Sequence, residues 1–382
     1  MRLKKICIWL TLFSLLGMLA ACGQAVPDPA PEPSSAEVPE TSSEPSETEA
    51  ATEPLMTHAE YLNYIRQAIA PVQGLISAGR WHGAAVRSDG SVLYAGRSQG
   101  TREQARDFTN MKSIDCKGFD FITGITRDGN SVITPHDPCN FNVGQYNLNG
   151  WTDMAQLTGN SHFTIGLQQN GTVLAAGGLY GHWSGNKPLE RLKGARKLCA
   201  TGTDTLAALT DEGTVEFWTC ENLEKGYENE GYVRSARGWE GLVDLAGNEN
   251  VILGIREDGS VLTGGLFHSQ EEDYYFDVPD LDWTDIVAAD VAYGDVLGLR
   301  ADGTVVYEDC YARATGKPQD PELSKVSQWE DIVAVSMGSF AMGLKADGTI
   351  LACGYPQELV EEISQWKLDP IEIERNLPHQ EP

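Results

Sequence analysis

The sequence predicts an all-β protein, a seven-bladed β-propeller with a short N-terminal helix. Three observations carry this. A turn signature recurs seven times, its glycines 39 to 46 residues apart. Each copy lies between short apolar runs, with a further run upstream. Glycine is abundant, 40 of 382 residues, as many tight turns require. Hydrophobic residues are 41%, enough for a substantial core. Lys and Arg number 28 against 55 Asp and Glu, a net charge of −27. Nucleic acid is therefore not an expected partner, because phosphate binding needs clustered cations.

Residues 1–21 read as an export signal. Arg2, Lys4 and Lys5 form a basic start, and Ile6 to Leu19 form an apolar stretch too short to span a bilayer comfortably. Leu19-Ala20-Ala21-Cys22-Gly23 comes next. This resembles the bacterial lipobox, in which the cysteine thiolate accepts a diacylglyceryl group and becomes the new N-terminus. Cys22 is thus the expected lipidation site, and two or more acyl chains give stable anchoring. Residues 22–55 read as a tether. Positions 24–55 hold seven Pro, seven Glu, five Ser and no Lys or Arg, a composition that cannot bury enough apolar surface to fold. As a coil it reaches roughly 30 Å, and as extended polyproline II up to roughly 100 Å.

Residues 56–74 form a lead-in. Thr57 and Glu60 make a capping box, and Tyr61, Ile65, Ala68 and Ile69 share one helical face that ends before Pro71. Residues 75–373 carry the repeats, and 374–382 are a tail. The turn unit appears at Asp89-Gly90, Asp128-Gly129, Asn170-Gly171, Glu212-Gly213, Asp258-Gly259, Asp302-Gly303 and Asp347-Gly348. Ser or Thr and a β-branched residue come after it, with one inserted residue in the second copy. Asp-Gly between apolar runs signals a hairpin, with a type I′ turn expected. A run such as Thr164-Ile165-Gly166-Leu167 precedes the turn, and Val173-Leu174-Ala175-Ala176 succeeds it. The upstream run often opens with Trp, as at Trp151, Trp283 and Trp329. Three strands per unit are expected, with a fourth possible in the connection. The small residues at strand centres suit strands packed near a crowded axis. Repeats of this period stack radially into a propeller. Ser364-Gln365-Trp366 repeats Ser327-Gln328-Trp329, so residues 366–373 are expected to close the ring beside the first blade.

The segment Gly79-Arg80-Trp81-His82-Gly83-Ala84-Ala85-Val86, ending at Asp89-Gly90, resembles the RCC1 (regulator of chromosome condensation) repeat. That repeat reads Gly, two residues, His, Thr, an apolar strand and Asp-Gly. Gly144-Gln145 followed by Gly150-Trp151-Thr152-Asp153 is similar to bacterial RCC1-like units. The resemblance covers residues 75–354. Only His82 and His162 fill the histidine slot, and Gly-Gln occurs once. The unit length is closer to secreted bacterial propellers, such as the β-lactamase-inhibitory protein of this superfamily. The resemblance implies a binding scaffold. Nucleotide exchange, associated with the eukaryotic namesake, is not carried over, because that partner is intracellular.

No Gly-x-Ser-x-Gly elbow, His-Glu-x-x-His, Cys-x-x-Cys or Walker loop is present. No catalytic residue, metal or cofactor is assigned. His82 and His162 are expected to bond backbone between strands. Each Asp-Gly turn has too few carboxylates for a Ca²⁺ loop. The acidic run Glu271-Glu272-Asp273 reads as a solvated loop. Cys116, Cys139, Cys199, Cys220, Cys310 and Cys353 read mostly as buried thiols, with Cys116–Cys139 the expected pair if a disulfide forms.

Hairpin lengths are nearly constant, whereas the connections after the third strand vary: 178–194, 219–238, 266–282 and 308–328. They carry Tyr180, His182, Trp183, Tyr227, Tyr232, Tyr274, Tyr275 and Tyr311. Aromatic residues of this kind anchor protein interfaces and stack on sugars. All leave the same end of their blades, so they are expected to gather on one rim. The expected function is a monomeric, lipid-anchored propeller of the bacterial cell envelope, facing outside the cytoplasm. It recognises a protein or glycan and meets the membrane only through its N-terminal lipid. The rival readings are an envelope enzyme acting on polysaccharide and an inhibitor-like binder of a penicillin-recognising enzyme.

Overall fold

The computed structural model describes residues 55–118, 121–134, 148–160, 163–177, 183–189, 192, 194–202, 205–219, 235–248, 250–269 and 274–380. The export signal, Cys22 and the tether lie outside these. Among the described residues the strands form seven antiparallel sheets, each ordered first-second-third in chain order. Blade one is Ile76–Ala78, His82–Val86 and Val92–Gly96, and blade two is Met111–Asp115, Thr123–Thr126 and Ser131–Ile133. Blade three, Met154–Gly159, Phe163–Gln168 and Val173–Gly177, adds a fourth strand, Trp183–Pro188. Blade four is Ala195–Thr201, Thr205–Thr210 and Val215–Thr219. Blade five, Leu242–Asn248, Val251–Arg256 and Val261–Ser269, also has a fourth, Tyr274–Asp277. Blade six is Ile286–Ala292, Asp295–Arg300 and Val305–Asp309, and blade seven is Ile332–Met337, Phe340–Lys345 and Ile350–Gly354. The chain is a seven-bladed propeller.

The repeated turn differs from the expected type. Only its glycine has a positive φ, from 76° to 87°, while Asp89 and its equivalents do not. In blade one the Gly90 N–H donates to the Arg87 carbonyl at 2.8 Å, and the Arg87 N–H to the Ser91 carbonyl at 2.9 Å. The loop therefore has three residues, a type I turn closed by a left-handed glycine. The acidic side chain serves as a local acceptor instead. Asp89 takes the Ser91 N–H at 2.8 Å, and Asp258, Asp302 and Asp347 repeat this at 2.9 Å.

The turn glycine also joins one blade to the next. Its carbonyl accepts the N–H that opens the next first strand: Gly90 from Met111 (3.0 Å), Gly129 from Met154 (2.9 Å) and Gly213 from Leu242 (3.0 Å). Gly259 accepts from Ile286 (3.0 Å) and Gly303 from Ile332 (2.9 Å). The residue before each of these five joints also has a positive φ: Asn110 58°, Asp153 55°, Gly241 69°, Asp285 62° and Asp331 59°. Asn, Asp and Gly tolerate that region best. The aspartate of Trp-x-Asp therefore bends the backbone into the joint rather than opening a strand.

The tryptophan of that motif has its own partner. A Cβ at Gly166 would lie 2.9 Å from the Trp151 ring, at Gly298 2.8 Å from Trp283, and at Gly343 2.7 Å from Trp329. The ring lies flat on the middle strand of its own blade. The small central residues make room for that ring, not for the axis, which the first strands line.

Helix α1, His58–Ile69, begins with the capping box of Thr57 and Glu60. It buries Tyr61, Leu62, Ile65 and Ile69 against blades six and seven, so Leu62 joins the face and Ala68 is only half-buried. Arg66 fastens it to the turn face, donating to the carbonyls of Arg256 (2.9 Å), Glu257 (3.1 Å) and Ile286 (3.3 Å).

Residues 366–373 do not extend the first blade. The Leu368 N–H donates to the Gly348 carbonyl at 2.8 Å, repeating the joint on blade seven, and Thr349 forms one bridge with Lys367. The chain then crosses the turn face. Arg375 donates to the carbonyls of Ala301 (3.0 Å) and Ile332 (2.5 Å), and Tyr61 donates to the Arg375 carbonyl at 3.0 Å. The ring closes by direct contact of blades seven and one. The Ser339 N–H donates to the Gly79 carbonyl at 3.1 Å, and the Ala78 N–H to Ser336 Oγ at 3.0 Å.

The joint can be tested with two glycines of nearly equal φ. Gly259 (78°) would place a Cβ 2.8 Å from the Asp285 backbone, whereas Gly150 (80°) has nothing within 4 Å. Gly150→Ala should cost only the left-handed penalty, about 1–2 kcal/mol. Gly259→Ala should cost clearly more. Equal thermal midpoints for the two variants would contradict the blade joint.

Candidate functional site

The first strands line the axis. In six of them the register shifts after the first residue. Such a bulge turns later side chains inward. The fifth residue, or Ser77 in the shorter first strand of blade one, acts as a latch on a neighbouring blade where it is polar. Ser77 Oγ accepts the Cys116 N–H at 2.8 Å, Asp290 Oδ2 accepts the Met337 N–H at 2.7 Å, and Ser336 Oγ accepts from Ala78. Thr158 donates to Asp115 Oδ2 at 3.2 Å.

Lys117 crosses this belt. From blade two its ammonium reaches Asp290 of blade six at 2.9 Å, and the Met337 carbonyl of blade seven. Its side chain is only 11% exposed, so the ion pair is a bolt inside the ring. Asp115 is half-buried, and desolvation raises its pKa to about 6 against the pull of Lys117. Three carboxylates line the axis, Asp115, Asp244 and Asp290, where polysaccharide hydrolysis would require a pair. All three are engaged: Asp290 accepts from Lys117, Ser336 and Met337, Asp115 from Lys117 N–H and Thr158, and Asp244 from the Leu245 N–H while it pairs with Lys197. Among the described residues no cluster of three or more His, Cys, Asp or Glu could hold a metal.

His82 takes the role expected of it. It is buried, Nε2 donates to the Phe121 carbonyl at 3.2 Å, and desolvation lowers its pKa to about 4. It is a neutral ring bridging blade one to blade two. His162 lies outside the described residues. Cys116, Cys199, Cys310 and Cys353 are buried free thiols, and burial pushes the last three up to about 12. Cys139 and Cys220 lie outside the described residues.

Of the aromatic residues on the variable connections, Tyr180, His182, Tyr227 and Tyr232 lie outside the described residues, as does the acidic run at 271–273. Trp183 opens the fourth strand of blade three, paired with Gly177. Tyr274 and Tyr275 lie in the fourth strand of blade five, opposite Ser269 and His268. Tyr275 is 57% exposed. Tyr311 sits in a helix, Cys310–Thr315, directly after blade six. It packs edge-on against Phe267 of blade five at 5.8 Å and is half-buried. That helix adjoins the strand carrying Tyr275, so blades five and six bring two of the variable connections together.

A second aromatic group lies on the same end of the blades. Arg80 and Trp81 occupy the loop between the first two strands of blade one. Arg97 stands over the Trp81 ring at 4.5 Å and Arg80 at 5.6 Å. Arg80 also stands 5.9 Å from the ring of Tyr293, in the corresponding loop of blade six. Tyr355, after the third strand of blade seven, is 53% exposed. Aligning the short loops between first and second strands would have exposed this group, because Arg-Trp has no counterpart in the other copies.

No protein-family model and no curated protein sequence matches this chain. Solved structures do. The CRINKLY WD40 ectodomain of the Arabidopsis thaliana receptor kinase ACR4 aligns with 74% of this chain and 95% of its own, at 15% identity and a TM-score of 0.56. Yeast RCC1 (Prp20), solved with Kap60, aligns with 75% of this chain and 81% of its own, at 14% identity and 0.49. Prp20p from Saccharomyces cerevisiae aligns with 79% of this chain and 77% of its own, at 13% identity and 0.43. The fold is a β-propeller. At these identities the likeness concerns the fold alone.

Beside the aromatic group, Asp295 opens the second strand of blade six and accepts the Tyr307 hydroxyl at 2.6 Å. Burial raises its pKa to about 7. Unfolded, it would titrate near 4. The folded state therefore holds this proton longer. The resulting stabilisation is complete below about pH 4 and is lost as pH rises towards 7. Asp295→Asn keeps an acceptor for Tyr307 and removes the buried charge. Its melting temperature should exceed that of the wild type at pH 8 and match it at pH 4. A difference independent of pH would contradict the burial of this carboxylate.

Proposed function

We propose that this chain is an exported, lipid-anchored propeller that binds a protein or glycan through the connections following its third strands. The sequence Leu19-Ala20-Ala21-Cys22 supports export and anchoring, with lipid on Cys22 and a Pro/Glu-rich tether behind it. The observation that carries the binding reading is the uneven use of the repeat. Turns, joints and axial latches recur from blade to blade, whereas the third-strand connections differ in length and are aromatic. Tyr275 and Tyr355 are two of the three large hydrophobic side chains exposed among the described residues. Scaffolds of repeats place specificity where the repeats differ. Trp, Tyr and Arg, the residues of Trp183, Tyr275, Trp81 and Arg97, are those enriched in interface hot spots.

Two experiments test this. Cys22→Ala should abolish fatty-acid labelling and leave unprocessed precursor; continued labelling would sink the anchoring assignment. A partner captured from the envelope of the producing cell should bind Trp183→Ala and Tyr275→Ala more weakly by roughly 1–3 kcal/mol each, with melting temperatures unchanged. Wild-type affinity in both variants would place the site elsewhere.

A further inference from the structure

The chain has few cations, 28 against 55 acidic residues, yet five of them line one cavity. The cavity occupies the propeller axis, about 760 Å³, walled by the first strands and the end of α1. Its volume is that of a small-ligand pocket. Charge is distributed unevenly along it. At the inner end Lys117 is neutralised by Asp290. On blade four Lys197 is neutralised by Asp244 of blade five. The fifth-position carboxylate, Asp115, is half-buried and accepts from Thr158 in the latch.

Three cations remain, all on the turn-face side. Arg66 and Arg196 spend hydrogen bonds on backbone carbonyls, Arg66 on three and Arg196 on that of Leu242 at 2.5 Å. Carbonyls are dipoles and leave the Arg196 charge uncancelled, whereas Arg66 also lies in the field of Asp244, Glu257 and Asp258. Lys112 is exposed at the second position of the first strand in blade two, and Arg196 holds the same position in blade four. Blade three, between them, offers Ala155 and the Gln156 amide, which is bonded to both backbone groups of Leu198 at 2.8 Å. The opposite wall is apolar: Ile69, Pro71, Val243 and Val287. A concave site with low-dielectric walls focuses the field of such charges, here against the negative field of the whole molecule.

We infer that the axial cavity binds a small organic anion of carboxylate or phosphate type, its charge between Lys112 and Arg196 and its body against the apolar wall. The site is separate from the third-strand connections and does not depend on them.

Isothermal titration of the full chain in detergent, at fixed low ionic strength, with citrate and separately with inorganic phosphate tests this. Saturable binding of at least one probe is expected. The Lys112→Glu/Arg196→Glu variant should weaken it at least about tenfold. Both residues are exposed at the mouth, so its melting temperature should stay near that of the wild type, and Lys112→Gln alone should show a smaller loss. Lys325→Glu, a surface charge reversal outside the cavity, should bind as wild type. Citrate binding without phosphate binding assigns the carboxylate class, and the reverse assigns phosphate. No binding of either up to about 10 mM, or equal affinity in the double variant, overturns the inference. Tyr275→Ala should leave the titration unchanged, so a failed rim assignment is distinguishable from a failed cavity assignment.

Discussion

The propeller depends on one hydrogen bond, from the N–H that opens a blade to the carbonyl of the glycine that turned the blade before it. One such bond contributes only about 1 kcal/mol net. Its consequence is geometric. The donor strand must start beside the preceding turn, so the angle between blades is set at the rim of each hairpin. Both ends of the bond need unusual backbone. The acceptor must be glycine, because its φ is positive and the next strand lies where a Cβ would sit. Where the joint opens a new blade, the donor comes after a left-handed residue, as at Asn110, Asp153, Gly241, Asp285 and Asp331. After blade seven the chain makes the joint once more at Leu368, then runs across the turn face instead of building another blade.

The axial latch is the second constraint and works from the other end of the first strand. The joint holds each strand where it begins. Ser77, Asp290 and Ser336 hold the next strand near where it ends. Together they fix a strand at two points about five residues apart, so neighbouring blades cannot pivot freely. The latch between Ser336 and Ala78 is the same contact as the others, yet it joins the last blade to the first. Closure therefore needs no exchanged strand. Lys117 adds a brace between blades that are not neighbours.

What could be read from the sequence was what repeats. Seven Gly-centred turns gave blade number and boundaries, because left-handed backbone leaves glycine in the record wherever it occurs. The turn type was less legible, since Asp-Gly serves both a two-residue loop and the end of a three-residue one. The two differ only in the φ of the aspartate, which no residue type reports. Trp-x-Asp was visible as a motif but its parts do separate things: Trp151 lies on Gly166, and Asp153 bends into the joint. Pairing Trp with a glycine 14 or 15 residues later would have shown this. The axial residues carried no signal. Asp115, Lys117 and Asp290 are isolated polar residues on two chain segments, and only ring closure brings blade two to blade six. Tyr311 and Tyr275 looked alike as loop aromatics, yet one is packed by Phe267 and the other exposed.

The two faces of the ring are consequently not equivalent. The turn face carries the joints, and over blades five to seven it is further covered by α1 and the C-terminal segment. His58 pairs there with Asp285 at 2.8 Å, and Tyr61 stacks on His379 at 3.9 Å. Substitution of a joint glycine, or of a residue that holds α1 or the C-terminal segment in place, disturbs that face. On the opposite face the segments after the third strands carry no joint, so their length and structure are free to differ from blade to blade. That freedom is visible in the segments after the third strands: a helix in blades one, six and seven, and a fourth strand in blades three and five. The first described residues enter beside Met56, bridged to His379 on the turn face. The described chain therefore enters on the constrained face, opposite the one where the connections vary.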